Sequence, residues 1–187
     1  MTLSSSHTFT EPVAAVLAGA ENTQLELTQS GACDRKAAHL LTSSAATDLF
    51  PGARDPESAV SGLLLLLGCW EESHRVSQDV SSPEGSYWHA IAHRMEPDAA
   101  NSGYWFRRVG NHPIFSPLLQ RAGQILRNEP TVGWKLKPAW DPFLFLQWCD
   151  EARPEPGSAK ERVARAIQMA EWELLFQWCA MERSSTK

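Results

Sequence analysis

Marked helix starts constrain the fold of this chain more than any other feature. Four of them place proline directly after a capping residue: Asp55-Pro56, Ser82-Pro83, Ser116-Pro117 and Asp141-Pro142. Proline suits the first helical position because the N–H group that it lacks would have no partner there. A fifth start pairs Ser158 with Glu161 at the spacing of a capping box. Because no comparable strand signal is present, the pattern predicts an all-α fold.

Apolar residues recur at three- and four-residue steps after several of these starts, as on one face of a helix. The longest stripe comprises Val163, Ile167, Ala170, Leu174, Trp178 and Met181. Shorter stripes follow Asp55 and Ser116, and residues 143–149 are apolar almost all round. Such helices must share a core, and 187 residues is an ordinary length for one domain. We therefore predict a compact single-domain helical bundle of about six to seven helices.

The two ends of the chain are polar and show no periodicity. Residues 1–10 and 184–187 are therefore predicted to be disordered, around a single helical domain at 11–183. Residues 22–30 alternate between polar and apolar side chains. That pattern fits either a short strand or an extended arm, and both interpretations stay open.

Charge and hydropathy exclude two classes of partner. The formal net charge is −5, whereas nucleic-acid-binding domains carry a clustered basic excess, so no nucleic-acid partner is expected. The longest apolar run, residues 63–67, is far shorter than the roughly 20 residues of a membrane span, so no membrane association is expected. Residues 13–20 end like a signal-cleavage site, but no Lys or Arg precedes them, and a secretory signal is not expected.

The four cysteines are scattered along the chain without any C-x-x-C spacing. We interpret Cys33, Cys69, Cys149 and Cys179 as reduced, buried thiols. Together with the missing signal pattern, this interpretation predicts a cytoplasmic protein.

The segment 84–115 differs in its chemistry from the rest of the chain, because three of the six histidines and both tyrosines lie in it. A helix beginning after Ser82 would place His89, His93 and Glu96 on one stripe, since residues four and seven positions apart nearly eclipse. Proline and aspartate at 97–98 would end that helix, and a second helix would run through 104–109. The segment therefore predicts a helix–turn–helix hairpin.

One hypothesis for this hairpin is a divalent-metal site. His89 and His93 stand one turn apart and could bind a common ion, with Glu96 or His112 as the third ligand. A metal-dependent enzyme with water as nucleophile would follow. The zinc-peptidase pattern needs Glu directly after the first His, where this chain has Ala90, so a peptidase is not predicted. The alternative is that both histidines cover an ordinary helix face.

A second hypothesis, which we place first, is a pocket for a small anionic or polar ligand. Arginine binds carboxylates and phosphates through its planar fork, and aromatic side chains are typical pocket lining. The residues expected to form this pocket are Tyr87, Arg94, Tyr104, Arg107, Arg108 and His112. The alternative is that the aromatic residues are core and the arginines pair with acids. A third interpretation is a non-enzymatic interaction module whose tryptophans mark a homodimer surface.

Two runs in this segment, Tyr-Trp-His-Ala-Ile-x-His-Arg at 87–94 and Tyr-Trp-Phe-Arg-Arg-Val-Gly-Asn-His-Pro at 104–113, resemble an uncharacterised family of bacterial and fungal proteins. The resemblance covers this segment alone. It implies a shared functional centre and assigns no residue a role, because the family has no established activity. The chain has neither a nucleophile elbow nor a phosphate-binding glycine loop.

Overall fold

The computed structural model describes residues 9–29 and 32–182, and within them the regular structure is ten α-helices and one 3₁₀ turn. In chain order the α-helices are α1 Glu11–Gly19, α2 Arg35–Ser43, α3 Ala46–Leu49, α4 Pro56–Leu66, α5 Trp70–Asp79, α6 Pro83–Met95, α7 Ala99–Val109, α8 Phe115–Asn128, α9 Pro142–Ala152 and α10 Ala159–Ala180. The all-α prediction is confirmed, but six to seven helices is too few. The missed elements include α3, which has only four residues, and α5, which has no capping side chain. None of the described helices is long and apolar enough to cross a membrane.

Four of the five predicted helix starts are confirmed. A backbone N–H group of the first turn donates to the side chain of each of Asp55, Ser82, Asp141 and Ser158. The fifth helix, α8, begins slightly earlier than predicted, at Phe115, and its capping position is Ile114. Pro117 still lies in the first turn, where its missing N–H group costs no hydrogen bond.

Helix α10 passes through both hydrophobic clusters of the described structure. Its first half packs with α8 and α9, and its second half packs with the larger cluster built on α1 to α4, α6 and α7. The predicted stripe is buried at its first three positions but drifts to half-buried at Leu174 and Trp178, whereas Trp172 and Phe176 are fully buried. Four-residue steps advance about 400°, so such a stripe rotates off its face by about 40° per step.

Residues 22–29 form an extended arm and no strand. Leu25 and Leu27 are buried. The side-chain amide of Gln168 donates to the Glu26 carbonyl at 2.7 Å, and the Gln29 N–H group donates to the carbonyl of Met95 at 3.0 Å. Backbone groups of the arm thus bond to α10 and α6 where a strand would bond to a neighbouring strand.

Most of the terminal residues predicted to be disordered, 1–8 and 184–187, lie outside the described residues. Residues 9 and 10 are an exception to the prediction, because both are packed. The Phe9 ring lies 5.8 Å from that of Phe176, and the Thr10 hydroxyl donates to the Leu49 carbonyl at 2.8 Å.

Cys33 and Cys69 form a disulfide bond, so the prediction of reduced thiols is wrong for this pair. Cys149 and Cys179 are free and buried. The prediction of a cytoplasmic protein, which requires four reduced thiols, therefore loses its support. The bond joins residues 36 positions apart, and their approach depends on how the segment before α2 packs against the start of α5. Spacing along the sequence carries no signal for such a contact.

Reduction of this disulfide should lower the free energy of unfolding by about 3–4 kcal/mol, since the bond closes a 36-residue loop and removes chain entropy from the unfolded state. Urea denaturation with and without a phosphine reductant measures the loss. The Cys33→Ser variant is the control, because the reductant should leave its midpoint unchanged. A wild-type denaturation midpoint that is the same with and without the reductant would contradict the prediction.

Candidate functional site

Three histidines from two adjacent helices meet at one point, which we call the histidine cluster: His74 from α5, and His89 and His93 from α6. One ligand nitrogen from each ring lies within 4.8 Å of those of the other two. The Nε2 atoms of His89 and His93 are 3.1 Å apart. Sequence reasoning found these two by their helical spacing and missed His74, because its approach depends on the packing of α5 against α6.

His93 is oriented by Glu96. The Nδ1 atom of His93 is 3.0 Å from a Glu96 carboxylate oxygen. An ionised carboxylate only accepts hydrogen bonds, so the Nδ1–H group of His93 donates to Glu96. The structure thus brings together the predicted set of His89, His93 and Glu96, with Glu96 behind the His93 ring and away from the point shared by the histidines.

His89 is oriented by Ser77. The Nδ1 atom of His89 is 3.1 Å from the Ser77 hydroxyl oxygen, and that hydroxyl lies 2.8 Å from the carbonyl oxygen of Ser73, to which it donates. A hydroxyl has one proton, so its oxygen accepts from Nδ1–H of His89. The Nε2 atom of His89 is then left with its lone pair directed at His93.

The two Nε2 atoms are 3.1 Å apart, and either a hydrogen bond from one ring to the other or a metal ion bound to both accounts for this approach. Burial lowers the pKa of His89 to about 4, with smaller contributions from His74 and His93, so the His89 ring is uncharged near pH 7 and can act as a metal ligand. Burial likewise lowers the pKa of His74. Tetrahedral ligands about 2.0–2.1 Å from a zinc ion lie roughly 3.3 Å apart, close to the spacing of the two Nε2 atoms.

Two tryptophans flank the cluster. Trp70 stacks on His74 with ring centroids 4.9 Å apart, and its Nε1–H donates to the Ala92 carbonyl at 2.8 Å. Trp105 packs against His89 with centroids 4.2 Å apart. His89 and His93 are buried, whereas His74 is half-buried, so the cluster is accessible on the His74 side.

A second donor group shares His93 with Glu96 and Asp98. Asp98 caps α7 by accepting from the Asn101 N–H group at 3.0 Å, and its other oxygen accepts from the Asn101 side chain at 2.7 Å. Binding a metal would compete with this cap, which typically stabilises a helix by about 1 kcal/mol. The histidine cluster is free of that competition, and we consider it the better metal site.

The residues predicted for the anionic pocket separate into a buried and an exposed group. Tyr87, Arg94 and His112 are buried. The Tyr87 hydroxyl donates to Glu171 at 2.8 Å, and Arg94 forms an ion pair with the same carboxylate. The His112 Nε2 atom lies 3.6 Å from a carboxylate oxygen of Glu84. These three side chains serve contacts between helices.

The exposed group, Tyr104, Arg107 and Arg108, lies on α7, and its two arginines occupy different surroundings. The Arg108 guanidinium carbon lies 5.0 Å from the centre of the Trp105 ring. A guanidinium nitrogen of Arg107 lies close to Gly103, on the side that faces Phe143 of α9. Of the predicted arginines, Arg108 is thus the one that lies beside an aromatic wall of the histidine cluster.

A cavity of about 710 Å³ lies outside the segment 84–115, apart from Met95. It is bounded by α1, the extended arm, α2 and the end of α4, and its remaining walls include Trp70. Trp70 therefore contacts this cavity and, through His74, the histidine cluster. Its volume falls within the range of small-molecule sites.

No protein family, curated protein or solved structure matches the chain. The resemblance of the hairpin segment to bacterial and fungal proteins accordingly stays a prediction. Function has to be argued from the geometry of the histidine cluster.

Proposed function

We propose that this protein binds one divalent transition-metal ion through His74, His89 and His93, and that it is a metal-dependent enzyme. The observation that carries the proposal is the convergence of one nitrogen from each of the three histidines within 4.8 Å, with the Nε2 atoms of His89 and His93 3.1 Å apart. Hydrogen-bond partners on the far side of each ring favour this arrangement. Such partners orient the rings of metal-binding histidines and fix their tautomers.

The donor set selects the class of metal. Imidazole nitrogens suit zinc, copper, nickel and iron, whereas magnesium and calcium prefer oxygen ligands. Structural zinc sites are closed by four protein ligands, while catalytic sites use three and leave a position for water or substrate. Three histidines with one accessible side correspond to the catalytic type. An ion held in this way lowers the pKa of bound water and polarises a substrate oxygen.

Glu96 and Ser77 act as positioning residues in this proposal. Each holds the proton on Nδ1 of a histidine and so keeps Nε2 available as a ligand. Such outer partners fix the tautomer and the ring orientation, and their loss typically lowers metal affinity by about 10- to 100-fold. Because the Glu96 side chain is 39% exposed, its replacement should not unfold the protein.

Calorimetric titration of tag-free protein with Zn²⁺ at neutral pH should give one ion per chain, and His74→Ala should weaken binding by at least about 100-fold. His74 is half-buried, so this variant should fold. Glu96→Gln should weaken binding by about 10- to 100-fold. His39→Ala is the matched control, because His39 is exposed on α2 and should bind the ion like the wild type.

Two results would overturn the proposal. One is wild-type protein that takes up no Zn²⁺ or Co²⁺ at micromolar concentration. The other is binding that is equally strong in the His74→Ala and Glu96→Gln variants, since the ion would then lie elsewhere.

A further inference from the structure

We infer that the substrate of this centre carries a carboxylate or phosphate group, and that Arg108 binds this group beside the metal. The inference rests on the proposed function, because it names the substrate class of the same site. It places Arg108, one of the residues predicted to bind an anion, next to His89, one of the histidines predicted to bind a metal.

Arg108 is connected to the histidine cluster through one side chain. Trp105 lies one turn before Arg108 on α7, and its ring packs against His89 of the cluster with centroids 4.2 Å apart. The guanidinium carbon of Arg108 lies 5.0 Å from the centre of the same tryptophan ring. The indole thus places a fixed positive charge on the side of the cluster formed by α7.

The guanidinium of Arg108 remains available for a ligand. It is exposed, and within the part of the chain that the structure describes no hydrogen bond or ion pair involves it. In this it differs from arginines such as Arg121, which pairs with Glu173, and Arg165, which pairs with Glu26. Contact with the face of an aromatic ring leaves the in-plane N–H groups of a guanidinium free, and these are the groups that bind an oxyanion in bidentate fashion.

The charges around the cluster favour an anion on this side. Three neutral imidazoles leave the double positive charge of a bound ion uncompensated, so the centre attracts an anionic ligand. The acidic residues near the cluster, Glu96 and Asp98, lie beside His93. Arg108 lies beside Trp105 on the His89 side. An oxyanion that reaches the metal from the accessible His74 side and extends past Trp105 to Arg108 would meet positive charge at both ends.

Arg107 provides a matched control. It is the neighbouring residue, carries the same charge and is likewise exposed. Its guanidinium lies near Gly103, on the side of α7 that faces Phe143. Replacing either arginine by glutamine removes one positive charge from α7. A difference in anion affinity between the two variants therefore reflects the position of the arginine and not the net charge.

The experiment uses the full chain loaded with Co²⁺, whose visible spectrum responds to ligands that enter the coordination shell. Acetate and inorganic phosphate are titrated separately, which distinguishes a carboxylate-binding from a phosphate-binding site. Arg108→Gln should weaken binding of the preferred anion by about tenfold or more, while Arg107→Gln stays within about twofold of the wild type. Cobalt affinity should be the same in all three proteins.

The outcomes separate this inference from the proposed function. If the protein binds no stoichiometric cobalt, the metal centre itself is refuted. If cobalt binds and depends on His74, but acetate and phosphate bind Arg108→Gln as tightly as the wild type, only the role of Arg108 is overturned. Equal losses in Arg107→Gln and Arg108→Gln would also overturn it, because the effect would then be one of net charge.

Discussion

Replacing Glu171 by alanine should lower the free energy of unfolding by about 3–5 kcal/mol, because it leaves the charge of Arg94 buried without a partner. Both side chains are completely inaccessible to solvent. Desolvating a charge costs several kcal/mol, and in this protein the ion pair between the two offsets that cost. Urea denaturation followed by circular dichroism measures the loss.

The network around this pair explains why one substitution should have so large an effect. The Tyr87 hydroxyl donates to the second oxygen of Glu171 at 2.8 Å, and the Arg94 Nε–H donates to the Gln168 side-chain oxygen at 3.2 Å. The guanidinium also lies over Phe145, 4.7 Å from the centre of its ring. Burial raises the pKa of Tyr87, and the Glu171 carboxylate adds to this effect, so the phenol remains a donor. The Glu171 carboxylate thus joins α10 to α6, and the Arg94 guanidinium extends the contact to Phe145 of α9.

Glu173 on the same helix is the control for Glu171. It pairs with Arg121 at 2.7 Å, but that arginine side chain is 34% exposed. Glu173→Ala should therefore cost no more than about 1 kcal/mol. A second comparison is the double variant Arg94→Met with Glu171→Leu, which should be more stable than Glu171→Ala because no charge stays buried. Equal losses at Glu171 and Glu173 would contradict the prediction.

The local features of the fold could be predicted from the sequence, because they depend on residues within one or two helical turns. Caps such as Asp55 and Ser82 are of this kind, and so is the stripe of His89, His93 and Glu96. The break between α6 and α7 is marked by proline and by the Asp98 cap, and it too lies where the sequence predicts it. Each follows from helical geometry alone.

Features that join distant segments could not be predicted. His74 lies on α5, whose residues show no apolar stripe that would mark a helix. The sequence predicts Arg94 in a ligand pocket because arginine is the usual partner of an oxyanion, whereas in the structure it binds the carboxylate of Glu171 from another helix. The Cys33–Cys69 bond is a third case. Each contact depends on how the helices pack, and local patterns in one sequence do not reveal that packing.

Replacing Trp172 of α10 by alanine should lower the free energy of unfolding by about 3–5 kcal/mol. Replacing Trp178 of the same helix should lower it by clearly less. Trp172 is fully buried. Its Nε1–H donates to the Gly62 carbonyl at 2.7 Å, and its ring stacks on that of Phe176 with centroids 5.0 Å apart. Truncation therefore leaves a cavity and removes the hydrogen bond to Gly62.

The surroundings of Trp172 are too close-packed to collapse into that cavity. A methyl group added at Gly62 would come within 2.7 Å of the Trp88 ring, so α4 and α6 are already in tight contact beside it. Trp178 differs because it is half-buried. Arg54 lies over its ring, and Glu84 accepts a hydrogen bond from its Nε1–H group. Both of these residues are also half-buried, so water can replace part of the lost contacts. Chemical denaturation of both variants tests the register of α10 directly. If Trp178→Ala were the more damaging change, the face of α10 that runs through Leu174 and Trp178 would be the buried one, and the assignment of Trp172 to the core would be wrong.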